Sequence, residues 1–339
     1  MKIMVSACLT GENCKYNGGN NRNNKILRLL EGNQVIPVCP EQMGGLPTPR
    51  VPSEIRNGTV MAKDGRNVDS EFWTGAAKCL EIARHEQPDL VVLQSRSPSC
   101  GVKQRYDGTF SGTLIRGAGV TAQLLMENGF QAVDAEDLLV TDRLLLRKWV
   151  ERDAEDLYRY ASDPEVGLIA GWPPHSSVNE SLDVIRNILN GAETYAVCLK
   201  TDGRAIGAIG LKLEESTGIA AGREDTCELG YWLGKPFRSR GIMTEAVREM
   251  IRHGFEDLGM RTIWCEYYEG NIRSRRVQEK CGFHYQKTIR EADVPLLREK
   301  RTVYVNSLNK AEYQERKDEL SCGNFWKSRC GYHSDSDGG

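Results

Sequence analysis

Tyr231-Trp232-Leu233-Gly234-Lys235-Pro236-Phe237-Arg238-Ser239-Arg240-Gly241-Ile242-Met243-Thr244-Glu245-Ala246 is an apolar strand that turns through a basic, glycine-bearing loop into a helix. Met243, Ala246, Val247, Met250, Ile251, Gly254, Phe255 and Leu258 recur with a 3.6-residue period, so the helix expected over 241–258 buries one face. Its first turn presents N–H groups without partners inside the helix, next to Arg238 and Arg240. That is the chemistry of a pyrophosphate site. An exposed basic helix start has the same composition, so the stretch establishes a strand–helix unit before it establishes a ligand.

Working outward, residues 194–200 and 205–213 flank Thr201-Asp202-Gly203-Arg204 as a hairpin, and a further strand is expected over 226–233. Helices are expected over 153–161 and 177–190, the second opened by the capping box Ser177-Val178-Asn179-Glu180. Residues 139–147 read as strand. An antiparallel sheet with helices inserted in this order is an α+β domain. The first part of the chain has another texture. Strands over 2–7, 34–38, 89–94 and 130–133 are short continuous apolar runs separated by helices, one over 70–85 with Asp69 and Ser70 as capping residues. That alternation indicates an α/β domain with a mainly parallel sheet covered on both faces. The division expected is 1–137, 138–310 and a polar tail, 311–339, expected to be disordered. Cys322, Cys330 and His333 in that tail are a weak metal set.

A length of 339 residues suits two domains. Net charge is −2, and residues 1–137 carry 15 basic against 15 acidic side chains, so neither part has the basic surface that a long nucleic acid or a membrane requires. No apolar run reaches the length of a membrane span, and the start does not read as a signal peptide. Asn57-Gly58-Thr59 is accordingly a chance sequon. Eleven cysteines, an odd number, argue against a disulfide framework and for a cytoplasmic chain with some thiols in the core and some as ligands.

Cys8, Cys39 and Cys100 each follow one of the first three strands of the parallel sheet. In such a sheet ligands bind outside the carboxyl ends of the strands, so three thiols distant in sequence converge on one rim. Three thiolates suit zinc with an open position or an iron–sulfur cluster with one unligated iron, and small buried cysteines also serve simply as core. Ser6-Ala7-Cys8-Leu9-Thr10-Gly11, Cys14-Lys15-Tyr16-Asn17-Gly18, Pro37-Val38-Cys39-Pro40-Glu41, Pro49-Arg50, Pro52-Ser53-Glu54 and Ser97-Pro98-Ser99-Cys100-Gly101 resemble the thiouracil desulfidase family, long catalogued as a domain of unknown function. The resemblance spans 1–137. It implies a Rossmann-like domain holding a 4Fe–4S cluster through Cys8, Cys39 and Cys100, with Glu41 and Ser97 as a catalytic pair. Cys14 could be a fourth ligand, but a non-ligand role is the reading favoured, and Cys79 on its apolar helical stripe reads as core.

Thr141-Asp142-Arg143-Leu144-Leu145-Leu146-Arg147, Glu228-Leu229-Gly230-Tyr231-Trp232-Leu233 and Asn271-Ile272-Arg273-Ser274 through Phe283 resemble the Gcn5-related N-acetyltransferases, nearest the branch that acetylates ribosomal-protein N-termini. The match runs over about 139–308. The family's Q/R-x-x-G-x-G/A signature is met at Arg238 and Gly241, with Met243 in the last position. The resemblance implies acetyl-CoA as co-substrate, Leu233 on the pantetheine, Arg238, Ser239, Arg240, Gly241, Ile242 and Met243 around the pyrophosphate, and Asn271 at the thiol end. Glu228 is the expected base, through water, and Ser274 the expected acid, where many relatives use a tyrosine and this chain has Gln278. Cys198, Cys227 and Cys265 read as core thiols.

Together these expectations describe a bifunctional cytoplasmic enzyme. One half is an N-acetyltransferase acting on a small-molecule or protein N-terminal amine, and the other is a desulfidase-like module acting on a thiolated nucleobase or similar molecule. The rival expectation makes the first half a non-catalytic metal- or cluster-binding redox sensor. Acceptor identity, sited in loops such as 170–177 and 214–226, and oligomeric state are not legible.

Overall fold

The computed structural model describes residues 1–213 and 225–318. The tail cysteines, His333 and most of the loop at 214–226 lie outside the described residues. The chain forms two compact units, 1–150 with 197–205, and 151–196 with 206 onward.

In the first unit four parallel strands lie in the order Gln34–Val38, Lys2–Ser6, Leu90–Leu93, Ala132–Asp134. This is the expected parallel α/β sheet. Its two middle strands are continuous apolar runs because they are covered: Ile3, Met4, Val5, Val91, Val92 and Leu93 are all fully buried. Helices Asp69–Glu86 and Val120–Glu127 pack on it through Cys79, Leu80, Ala83, Ala122 and Leu125. The start of the first helix corrects the expected caps. Val68 is the N-cap, no side chain caps the helix, and the Asp69 carboxylate accepts the Val60 N–H at 2.9 Å instead. Two small hairpins were not anticipated, Ser53–Arg56 with Thr59–Ala62 and Gln104–Tyr106 with Leu114–Arg116. Asn57 and Gly58, read above as part of a chance sequon, form the turn of the first with φ of 48° and 81°.

In the second unit Ala205–Lys212 pairs antiparallel with Thr226–Leu233, which runs parallel to Thr262–Tyr268; Glu299–Asn309 and His284–Val294 follow antiparallel. This is the expected α+β arrangement. The parallel pair is in register only from Thr226–Thr262 to Leu229–Cys265. Beyond that point no residues of the two strands are paired. Helix Ile242–Arg252 buries the apolar face read from its period, then widens into a π-turn over His253–Asp257 that keeps Phe255 fully buried. Helix Pro164–Ala170 was not anticipated, although Asp163 caps it and Pro164 opens it as a helix start demands. Residues 311–318, the described part of the stretch expected to be disordered, are helical, and Tyr313 among them donates to Glu256 at 2.7 Å. No helix among the described residues is long and apolar enough to cross a membrane.

Candidate functional sites

In the first unit Cys8, Cys14, Cys39, Cys100, Glu41 and Ser97 all line one cavity of about 500 Å³ at the carboxyl ends of the parallel strands. The chain folds so because each strand hands over to a tight local element. Cys8 lies in the one-turn helix Ala7–Thr10, Cys39 is the N-cap of Pro40–Met43, and Cys100 lies in a turn closed by the Gly101 N–H on the Ser97 carbonyl at 2.9 Å. The Cys14 thiol is in hydrogen-bonding reach of Cys39, which lowers it, and of Cys8, which with burial outweighs that and pushes it up to about 11. Cys39 is raised by its bond to Cys14 and by burial, and Cys100 by burial. Among the described residues no group of three or more His, Cys, Asp or Glu is placed so that it could hold a metal ion. Cys79 is buried in the core, donating to Met43 Sδ at 3.7 Å.

Glu41 is not a free surface acid. Arg50 Nε donates to its Oε2 at 2.7 Å while Nη2 donates to the Cys14 carbonyl at 3.0 Å, so one guanidinium ties the carboxylate to a cysteine-bearing loop. The Ser97 hydroxyl accepts the N–H groups of Ser99 and Cys100, both at 3.1 Å, and thereby shapes the Cys100 turn. Arg50 was part of a recognised motif but not singled out; its signal was a basic side chain nine residues from the acid. The cavity also has an aromatic wall of Tyr16, Tyr106 and Phe110. Phe110 takes φ +58°, held by the buried Glu54 carboxylate, which accepts the N–H groups of Gly108 and Phe110, each at 2.9 Å. Left-handed backbone is rare for a bulky residue, and such strain gathers at binding sites.

In the second unit a pocket of about 310 Å³ is lined by Leu233, Arg238, Ser239, Gly241, Ile242, Met243, Asn271 and Ser274. Arg240 and Glu228 do not line it. Ser239 and Gly241 both have positive φ, which turns successive N–H groups toward the same side at the start of helix Ile242–Arg252. Gly241 provides no side-chain cap, so that helix start is left for a ligand. Arg238 is held by the Leu233 and Glu165 carbonyls, and burial lowers its pKa. Arg273, Arg276 and Lys280 add a basic wall from the helix Ile272–Cys281, a role that was missed although they stand three and four residues apart.

Asn271 caps that helix, accepting the Ser274 N–H at 3.2 Å. The Ser274 hydroxyl meets Tyr231 OH at 3.0 Å and Gln278 Nε2 at 3.1 Å; Gln278 in turn donates to the Glu266 carbonyl at 3.1 Å and accepts from Asn306 at 2.7 Å. Burial raises the Tyr231 phenol well above its ordinary value, so it stays a donor at neutral pH. Glu228 pairs with Lys212 at 3.1 Å. The carboxylate of Glu266, not anticipated, makes no hydrogen bond or ion pair with a described side chain, and burial first, then the Glu228 charge, raises it to about 7. Cys198, Cys227 and Cys265 are buried core thiols as expected. His175 is likewise in a loop, its Nδ1 2.8 Å from Ser181 Oγ.

Residues 3–137 match the 2-thiouracil desulfurase family and residues 143–284 the acetyltransferase (GNAT) domain. The first part is similar to the uncharacterised protein YbbK of Bacillus subtilis, 39% identical over 40% of this chain and 97% of that protein. The second is similar to the uncharacterised N-acetyltransferase p20 of Bacillus licheniformis, 31% identical over 52% of this chain and 98% of the relative. Among solved structures, a [4Fe-4S]-dependent thiouracil desulfidase, TudS, is 37% identical and covers 40% of this chain and 91% of its own, with a TM-score of 0.38.

Proposed function

Because the chain belongs to the 2-thiouracil desulfurase family in its first part and to the GNAT acetyltransferases in its second, we propose that it is a cytoplasmic bifunctional enzyme with two separate sites. We put the domain boundary near Leu138, as read from the change of texture in the sequence.

The first site removes sulfur from a thiolated nucleobase or similar planar molecule. The observation that carries this reading is the gathering of Cys8, Cys39, Cys100, Glu41 and Ser97 around one cavity. The three thiols would hold a 4Fe–4S cluster, which when bound supplies a Lewis-acidic iron for the departing sulfide. Glu41, oriented by Arg50, takes the proton of the water that attacks the thiocarbonyl carbon. Ser97 sets the turn that carries Cys100 and offers its hydroxyl proton to the cavity. The second site transfers acetyl from acetyl-CoA to a small-molecule or protein N-terminal amine. The 238–243 turn receives the pyrophosphate on backbone N–H groups, with Arg240 flanking it. Leu233 binds pantetheine through its backbone, Asn271 fixes the helix at the thiol end, and Ser274, backed by Tyr231, protonates the leaving thiolate. Glu228 stands on the sheet as the carboxylate expected from sequence.

Anaerobic purification tests the first site: about four irons and four sulfides per chain, with conversion of 2-thiouracil to uracil, are expected, and a colourless iron-free protein contradicts it. Calorimetry with acetyl-CoA tests the second, where absence of binding is the contrary result. The contact of Cys14 with both Cys8 and Cys39 favours one second reading, a redox sensor, which is preferred if thiouracil stays intact while reduction changes the acetylation rate.

A further inference from the structure

The acetyl-transfer reading leaves open which group takes the proton from the amine. Strand pairing gives the faces of the sheet. Glu228 is register partner of Lys212 on one side and of Trp264 on the other, so the three side chains share a face, and Glu266, two residues beyond Trp264, shares it too. Tyr231 stands on the opposite face, against Ser274. Glu266 is the first residue of its strand beyond the last registered pair, Leu229–Cys265, and so stands where the pairing of the two strands ends. Its own carbonyl is tied through the Gln278 amide to Ser274 Oγ, with both bonds 3.1 Å. The thiolate's proton donor and the Glu266 side chain thus stand on opposite faces of the sheet, with the Glu266 backbone joined to Ser274 through the Gln278 amide.

We propose that Glu266, rather than Glu228, accepts the amine's proton, and that the Trp264 indole N–H holds the water that relays it. The inference rests on the acetyl-transfer reading. Trp264 Nε1 is buried with no hydrogen-bond partner among the described residues, on the sheet face that Glu266 shares. A buried donor left unmet is a place where one water can be held. Glu228 is engaged by Lys212, while Glu266 faces Glu228, Lys212 on the far side of it, Lys287 of the strand His284–Val294, and Tyr268 of its own strand. Of the two carboxylates, the one without a side-chain partner is the better placed to carry a proton.

In the step, the nitrogen lone pair of R–NH2 forms the N–C bond and the C–S electron pair leaves with sulfur. One N–H proton passes through water to Glu266, and Ser274 delivers one proton to the thiolate. The sum is R–NH2 plus acetyl-CoA giving R–NH–acetyl plus CoA–SH.

Steady-state transfer from acetyl-CoA to glycinamide, followed from pH 5.5 to 9 with the full chain, tests this. Glu266→Gln is expected to lower kcat about 100-fold, leave the acetyl-CoA KM unchanged and erase the acid limb of the profile; Glu266→Asp restores part of it. Glu228→Gln is expected to keep that limb and move it to lower pH, because a neighbouring negative charge has gone. A limb that survives in Glu266→Gln, or vanishes in Glu228→Gln, overturns the assignment and leaves acetyl transfer standing. No transfer and no acetyl-CoA binding by the wild type overturns the reading beneath it as well.

Discussion

The Arg50 side chain is only 6% exposed, and its guanidinium makes four bonds: to the Glu41 carboxylate, the Cys14 carbonyl, the Pro47 carbonyl and Thr48 Oγ1. Removing one partner of a buried ion pair strands the other charge, at about 3–5 kcal/mol. Arg50→Met is therefore expected to lower unfolding stability by about 3 kcal/mol in urea titration of cluster-free protein, and Arg50→Lys to recover only part of it, since a point charge cannot span four acceptors. Stability equal to wild type would show that the pair carries no such weight. His253 poses the opposite charge problem. Its ring lies between Glu193 at 2.9 Å and Asp257 at 2.8 Å, and although burial pulls its pKa down, those two carboxylates prevail and raise it. A raised histidine stabilises fully below its unfolded value of about 6.5 and loses that contribution as pH rises through the folded value. His253→Gln should cost about 2 kcal/mol at pH 6, with the gap to wild type closing toward pH 9. A gap that widens with pH would reverse the argument.

At the scale of elements, the short helix Pro40–Met43 crosses helix Asp69–Glu86 on two glycines. A Cβ on Gly75 would stand 1.9 Å from the Pro40 carbonyl oxygen, and one on Gly44 2.0 Å from that of Glu71. Backbone cannot yield as a side-chain tip does, so Gly75→Ala must push the short helix away, carrying Cys39 and Glu41 with it. The expected cost is about 3 kcal/mol, read as a lower melting temperature together with lower iron content, whereas a matched Gly129→Ala at a site with open space changes melting alone. Elements of this kind divide what was legible in the chain from what was not. The parallel strands, the Asp69–Glu86 stripe and the buried face of Ile242–Arg252 were plain because apolar periodicity is local. The convergence of Cys8, Cys39 and Cys100 was legible through a general rule about strand ends. The Asn57-Gly58 hairpin was visible and misjudged, its turn chemistry overlooked for a sequon. Glu266 carried no local mark, and Arg50 only its place nine residues from the acid. One is defined by where two strands stop pairing, the other by a loop folding back, and both exist only once distant segments meet.

At the scale of the molecule, each cavity takes all of its lining residues from a single unit, the thiol cavity from 6–112 and the pocket from 166–280. Neither site borrows a side chain from the other, so damage to one should leave the other's binding intact. Replacing Cys8, Cys39 and Cys100 by serine keeps the volume and removes the soft donors, and should abolish iron and sulfide while acetyl-CoA binds with an unchanged Kd. Conversely, Arg238→Ala removes the bonds to the Leu233 and Glu165 carbonyls that brace the 238–243 turn. It is expected to weaken acetyl-CoA by about tenfold, roughly the 1.4 kcal/mol of one charge-assisted contact, with iron content unchanged. Calorimetry and iron analysis on the same two preparations decide the matter. If the serine variant loses acetyl-CoA affinity with its melting temperature preserved, the sites are coupled, and the redox-sensing reading gains over two independent activities.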